Sequence, residues 1–143
     1  MANVDAVLTQ RLRLLAECLD ELQAFRREAA SFSVYRDDVK LRRAVERSLQ
    51  VAAEISLDIG RRMIAIEGFR YAEDNQDVFR VLATEQVVSQ QLLDSLLNIA
   101  RFRNLIVHDY AKIDDVKVYE ILRYRLGDFE AFTEAIRVYL VGA

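Results

Sequence analysis

Apolar residues recur at three- and four-residue steps along most of the chain, the stripe left by helices that bury one face. Over residues 3–30 the stripe runs Val4, Val7, Leu8, Leu12, Leu15, Leu19, Leu22 and Phe25. It predicts an amphipathic helix with Asn3 as N-cap and Asp5 well placed in the first turn. Residues 31–36 carry no sustained stripe and read as a connection. Asp37 and Asp38 then open a second helix bearing Leu41, Ala44, Val45, Leu49, Ala52, Ile55, Ile59, Met63 and Ile66, with Gly68 placed to end it. At 1.5 Å per residue that helix is about 45 Å long, enough to run the length of a small bundle. After the polar run of residues 73–77, a weaker pattern of Val78, Phe79 and Leu82 predicts a loop and a short helix over the bundle's end. Ser89 reads as the N-cap of a further helix with Leu92, Leu93, Leu96, Leu97 and Ala100, and Asp114 as the cap of the last one, with Val118, Leu122, Leu126, Phe129, Ile136 and Leu140. Gly127 is expected to bend that last helix. The sum is an all-α, up-and-down bundle of four main helices plus a short extra helix.

Composition agrees. A chain of 143 residues, 52% hydrophobic and 30% charged, has room for one core and is expected to form a single domain across residues 1–143. Four glycines and no proline argue against an all-β fold, which needs many tight turns. No apolar run approaches the roughly 18 to 20 residues that span a bilayer, and the start lacks the basic-then-apolar build of a signal peptide, so a cytoplasmic location is expected. The one cysteine, Cys18, sits among Leu14, Leu15, Leu19 and Leu22 and reads as a small buried hydrophobe.

The net charge of −3 argues against a broadly basic face, so any RNA site is expected to be a local cleft with a few arginines and affinity for long duplexes to be poor. Arg42, Arg43 and Arg47 share one face of the second helix, with Arg61 and Arg62 further along. Solvated charge is the first reading of these, an RNA-approach surface the second. Glu17, Asp20 and Glu21, or Asp37 and Asp38, cluster without a His or Cys at ligand spacing, so neither a metal nor another cofactor is expected. No glycine-rich loop is present to cradle phosphates, which excludes a nucleotidyltransferase in this chain.

One stretch stands apart: Arg101-Phe102-Arg103-Asn104-Leu105-Ile106-Val107-His108-Asp109-Tyr110, which holds the only histidine. By itself it has a plain structural reading, a histidine and arginines capping a helix C-terminus against its dipole, with Tyr110 a half-buried aromatic. On an ideal helix Arg103 and Tyr110 stack, Asn104 and His108 are neighbours, and Arg103 and His108 diverge by about 140°. For those two to meet at one atom, either the helix loosens near His108 or two chains pack around a two-fold axis.

The spacing Arg103, four residues, His108, one residue, Tyr110 resembles the Arg-x4-His-x-Tyr signature of HEPN-domain ribonucleases. The continuation through residues 111–114 is similar to their HepT toxin branch. Residues 41–47, 54–59 and 118–122 also resemble HepT segments, so the likeness spans most of the chain. It implies a homodimer in which Arg103 and His108 of both chains face a shared cleft, acting as a metal-independent endoribonuclease toxin on an RNA substrate. It also implies that Tyr110 receives AMP from a cognate MNT-type nucleotidyltransferase antitoxin, putting negative charge and bulk into the cleft. Cleavage without metal needs a base for the 2'-hydroxyl, an acid for the leaving 5'-oxygen and a cation for the phosphoryl oxygens. Histidine suits either proton task and arginine the cation, and two copies of His108 would divide the acid and base roles. Asn104 would orient His108 or donate to the phosphate, and Arg101 would add positive field. The alternative function is a non-catalytic helical module that binds a nucleotidyltransferase or its nucleotide.

Overall fold

The structure, a computed structural model, describes residues 5–142, and among them every regular element is helical. Four long helices form the body: α1 (Ala6–Glu28), α3 (Val39–Glu67), α5 (Gln90–His108) and α7 (Leu126–Gly142). Three short ones, α2 (Phe32–Asp37), α4 (Asn75–Thr84) and α6 (Asp115–Tyr124), and a 3-10 turn (Tyr110–Lys112) complete it. The expected N-cap Asn3 lies outside the described residues. Within them Asp5 caps α1, its carboxylate accepting from the Leu8 N–H at 2.8 Å and holding Arg62 of α3.

α3 is the spine, in contact with all six other α-helices. Its buried row of Leu41, Val45, Leu49, Ala52, Ile59 and Met63 follows the stripe read from the sequence, and Gly68 ends it in a left-handed conformation at φ 69°. Cys18 is buried between α1 and α3, its thiol donating to the Ser48 carbonyl, and desolvation pushes its pKa up to about 11. No helix among the described residues is long and apolar enough to cross a membrane.

Three expectations change in detail. Residues 31–36 are not a plain connection: Ser31 caps α2, whose Tyr35 is fully buried and stacks with Phe32 around Tyr119 of α6. Six residues are too few to display a period, but the buried aromatics supply enough apolar area to hold the turn in place. α4 is more than a cover and forms part of the core. Val78, Phe79, Val81 and Leu82 are wholly buried, and Phe79 meets Phe132 of α7 edge to face at 5.6 Å. The last helix breaks at Arg125, between α6 and α7, rather than at Gly127, which sits in the first turn of α7. Gly127 has open space around it, so nothing there forces a bend.

The tightest approach is at Gly60 of α3, where an added Cβ would lie 2.5 Å from Cγ1 of Val78 on α4. Gly60→Ala is therefore expected to destabilise by about 1–3 kcal/mol through overpacking, against a helix-propensity gain of about 1 kcal/mol. Thermal unfolding checks it, and an unchanged or raised midpoint would show that Val78 gives way freely. The same seam carries the loop before α4. Arg70 forks onto Asp77 at 2.7 and 3.0 Å, and that hydrogen-bonded pair, helped by the Glu73 N–H, draws the Asp77 carboxyl down to about 2.

Candidate active site

α5 stays helical through His108, because its backbone ladder closes with the Asp109 N–H donating to the Leu105 carbonyl at 2.9 Å. Arg103 and His108 thus keep the wide angular separation of a regular helix. Arg103 turns toward α3, where its Nε lies 3.5 Å from Oε2 of Glu54, and both side chains remain partly open to solvent. Around it Glu54, Asp58, Arg61 and Asn75 form a polar cleft of about 260 Å³. A partly exposed ion pair of this kind is worth about 0–1 kcal/mol, so an incoming phosphate competes for Arg103 on favourable terms.

Asn104 is committed elsewhere. Its side-chain oxygen accepts from the Asn75 Nδ2 at 2.8 Å, and Arg61 donates in turn to the Asn75 oxygen. Arg61, Asn75 and Asn104 therefore tie α3, the start of α4 and α5 together beside Arg103, and Asn104 does not bond to His108. Arg101 does not join the cleft. It lies about 200° around the helix from Arg103 and donates to Asn98 at 2.8 Å. His108 is exposed, and no side-chain hydrogen bond holds it among the described residues.

The chain leaves the helical path at Asp109, with φ −147° and ψ 47°, so Tyr110 does not stack over Arg103 as an unbroken helix would place it. Its ring lies instead against the N-terminal part of α3. The phenolic hydroxyl donates to Oε1 of Glu46 at 2.5 Å and accepts from Nη1 of Arg43 at 2.7 Å, while the Arg43 guanidinium also lies 5.8 Å from the ring centre. Glu46 is only 4% exposed, whereas Tyr110 is 44% exposed, so the hydroxyl bridges a buried carboxylate and the surface. The hydrogen bond to Glu46, with partial burial, raises the Tyr110 pKa against the opposing pull of Arg43. Arg42 meets Asp115 at 3.7 Å, fixing the start of α6 to the same part of α3.

Arg43 and Glu46 are the site residues that sequence reasoning passed over. Arg43 is exposed, as solvated charge would be, but its guanidinium touches the hydroxyl and the ring of Tyr110. Glu46 did leave a signal: Leu49 and Ala53, three and seven residues on, are both buried, so a carboxylate on that row needs a partner.

Comparison with known proteins adds the following. The family model described as Ribonuclease HepT-like matches residues 15–136. The chain is similar to the mRNA nuclease HepT of Shewanella oneidensis, 24% identical over 131 residues that cover 92% of this chain and 96% of that one. It is likewise similar to the tRNA nuclease HepT of Aphanizomenon flos-aquae, 25% identical over 142 residues covering 99% and 95%. Among solved structures, the tri-AMPylated Shewanella oneidensis HEPN toxin in complex with MNT antitoxin superposes with a TM-score of 0.86 at 24% identity, covering 94% of this chain and 99% of that one. A toxin–antitoxin complex with AMP-PNP matches at 0.85 and 23% over 94% and 99%. At these identities the superpositions establish the helical fold.

Proposed function

The chain belongs to the HepT-like ribonuclease family, and from that premise we propose that it is the toxin of a toxin–antitoxin pair. It acts as a metal-independent endoribonuclease at a cleft shared by two copies of this single domain, in the cytoplasm, and is silenced when a cognate MNT-type nucleotidyltransferase transfers AMP to Tyr110. The names of the curated relatives, mRNA nuclease and tRNA nuclease, support the RNA substrate. The AMP-bearing toxin in complex with its antitoxin supports the mode of control.

The observation that carries the reading is the state of α5 at its end. A helix that is regular through His108 sends Arg103 into a polar cleft and leaves the imidazole unengaged at the surface. One chain alone thus presents a phosphate-binding cation and a proton-transfer group on different sides, and a two-fold partner is the economical way to bring them to one phosphate. In such a dimer one His108 removes the 2'-hydroxyl proton, the other protonates the departing 5'-oxygen, and Arg103 holds the phosphoryl oxygens as their charge grows. Asn104 acts behind Arg103 through Asn75, and Arg101 contributes only long-range field.

The test is cleavage of mixed cellular RNA by the purified protein in excess chelator, before and after incubation with the nucleotidyltransferase and ATP. Products ending in 2',3'-cyclic phosphate and 5'-hydroxyl are expected from the untreated protein and not from the treated one. A folded, unmodified protein that cuts no RNA would leave the partner-binding helical module as the better reading.

A further inference from the structure

The Tyr110 hydroxyl is already in the hands of two charged side chains of its own protein, Glu46 and Arg43. Glu46 is a nearly buried carboxylate whose short contact, 2.5 Å, is with that hydroxyl; Arg43 is farther from the carboxylate, at 3.5 Å. Burying a carboxylate costs free energy unless it is paired, and here the partners are a phenol at hydrogen-bond distance and a longer ion pair to an exposed arginine. Arg43 approaches the same oxygen from the solvent side, where its side chain is 60% exposed and still has free N–H groups. A nucleotide that approaches the hydroxyl from the solvent side meets Arg43.

We propose that this chain supplies the catalytic base for its own modification: Glu46 accepts the Tyr110 proton as the phenolic oxygen attacks the α-phosphorus of a nucleoside triphosphate, and Arg43 holds the α-phosphoryl oxygens. The inference rests on the proposed transfer of AMP to Tyr110. In the step, the bond between Oη and the α-phosphorus forms, the bond from that phosphorus to the bridging oxygen breaks, and pyrophosphate departs with its electron pair. The proton goes to Glu46 and then to water. A phenol is far too weak an acid to lose its proton to a carboxylate at rest, and the hydrogen bond keeps it protonated. As the new O–P bond develops, the phenolic oxygen turns strongly acidic and the transfer runs downhill, the condition under which a weak general base is effective.

The product has a consequence of its own. Once esterified, the oxygen has no hydrogen for Glu46, and a phosphodiester anion would face a buried carboxylate. The modified ring is therefore driven off Glu46 toward Arg43, which opposes reversal and brings the nucleotide into the path to the cleft.

The test measures AMP incorporation from ATP into the full chain by its nucleotidyltransferase, comparing wild type with Glu46→Gln, Glu46→Asp and Arg43→Met. Glu46→Gln keeps shape and is expected to lower kcat by about 10²-fold with little change in KM for ATP, and Glu46→Asp to recover part of the loss. Arg43→Met, on an exposed side chain, is expected to raise KM for ATP in a variant that still folds. Equal rates for wild type and a folded Glu46→Gln overturn the base role while leaving Tyr110 as the acceptor. A wild type that takes up no AMP removes the modification reading altogether, and this inference with it.

Discussion

Replacing His108 with alanine is expected to reduce RNA cleavage by about 10⁴-fold, the upper end of what positioned proton transfer contributes, because a dimer of the variant loses acid and base together. The fold should hardly notice. His108 is exposed and ends α5, where its side chain contributes at most about 0.3–1 kcal/mol through the helix dipole. The Asp109 N–H to Leu105 carbonyl bond that closes the helix is backbone and survives the substitution. Activity and stability should therefore separate cleanly, with the unfolding midpoint within a few degrees of wild type. Mixing wild-type and variant chains sharpens the result: if each cleavage needs two imidazoles, mixed dimers are nearly as inactive as variant dimers. Activity in proportion to the remaining histidines would mean that one imidazole suffices, and cleavage at the wild-type rate would return His108 to the role of a helix cap.

The sequence showed the scaffold well because the scaffold is periodic. Leu41, Val45, Leu49 and Ala52 mark the spine, and Ser89, Asp114 and Gly68 mark its punctuation, since each acts on neighbours within four residues. What escaped it depends on packing across the chain. α2 is held by Tyr35 and Phe32 against Tyr119, more than eighty residues away, and its own six residues carry too little pattern to show it. The break at Arg125 leaves no composition signal, since Leu122 before it and Leu126 after it are both buried and continue the stripe. At the site, Arg103 and His108 were legible as residue types at a spacing. The environment of Tyr110 was not, because the chain's turn at Asp109 carries the ring to Arg43 and Glu46, 67 and 64 residues earlier. That turn also explains why ideal-helix geometry misplaces Tyr110 while it places Arg103 and His108 correctly.

Tyr110→Phe removes a single oxygen and should divide the two halves of the proposed function. With no nucleophile at this position, incorporation of labelled AMP by the nucleotidyltransferase is expected to fall to background, and RNA cleavage should persist after incubation with transferase and ATP. Cleavage itself should stay within a few-fold of wild type, because His108 is fixed by α5 rather than by the Tyr110 hydroxyl. The substitution also strands Glu46. Its carboxylate, 4% exposed, loses the 2.5 Å donor and keeps only Arg43 at 3.5 Å. Leaving a buried charged acceptor short of a partner costs about 1–3 kcal/mol, which for a domain of this size lowers the unfolding midpoint by roughly 3–10 °C. Labelling equal to wild type would place the acceptor on another side chain. Silencing without labelling would mean that the antitoxin blocks the cleft by contact, so that modification at Tyr110 adds nothing to binding. Loss of cleavage from a folded variant would show instead that the bridge from Tyr110 to Arg43 and Glu46 sets the position of His108, making this one hydroxyl both the acceptor of the modification and a brace of the nuclease that the modification shuts off.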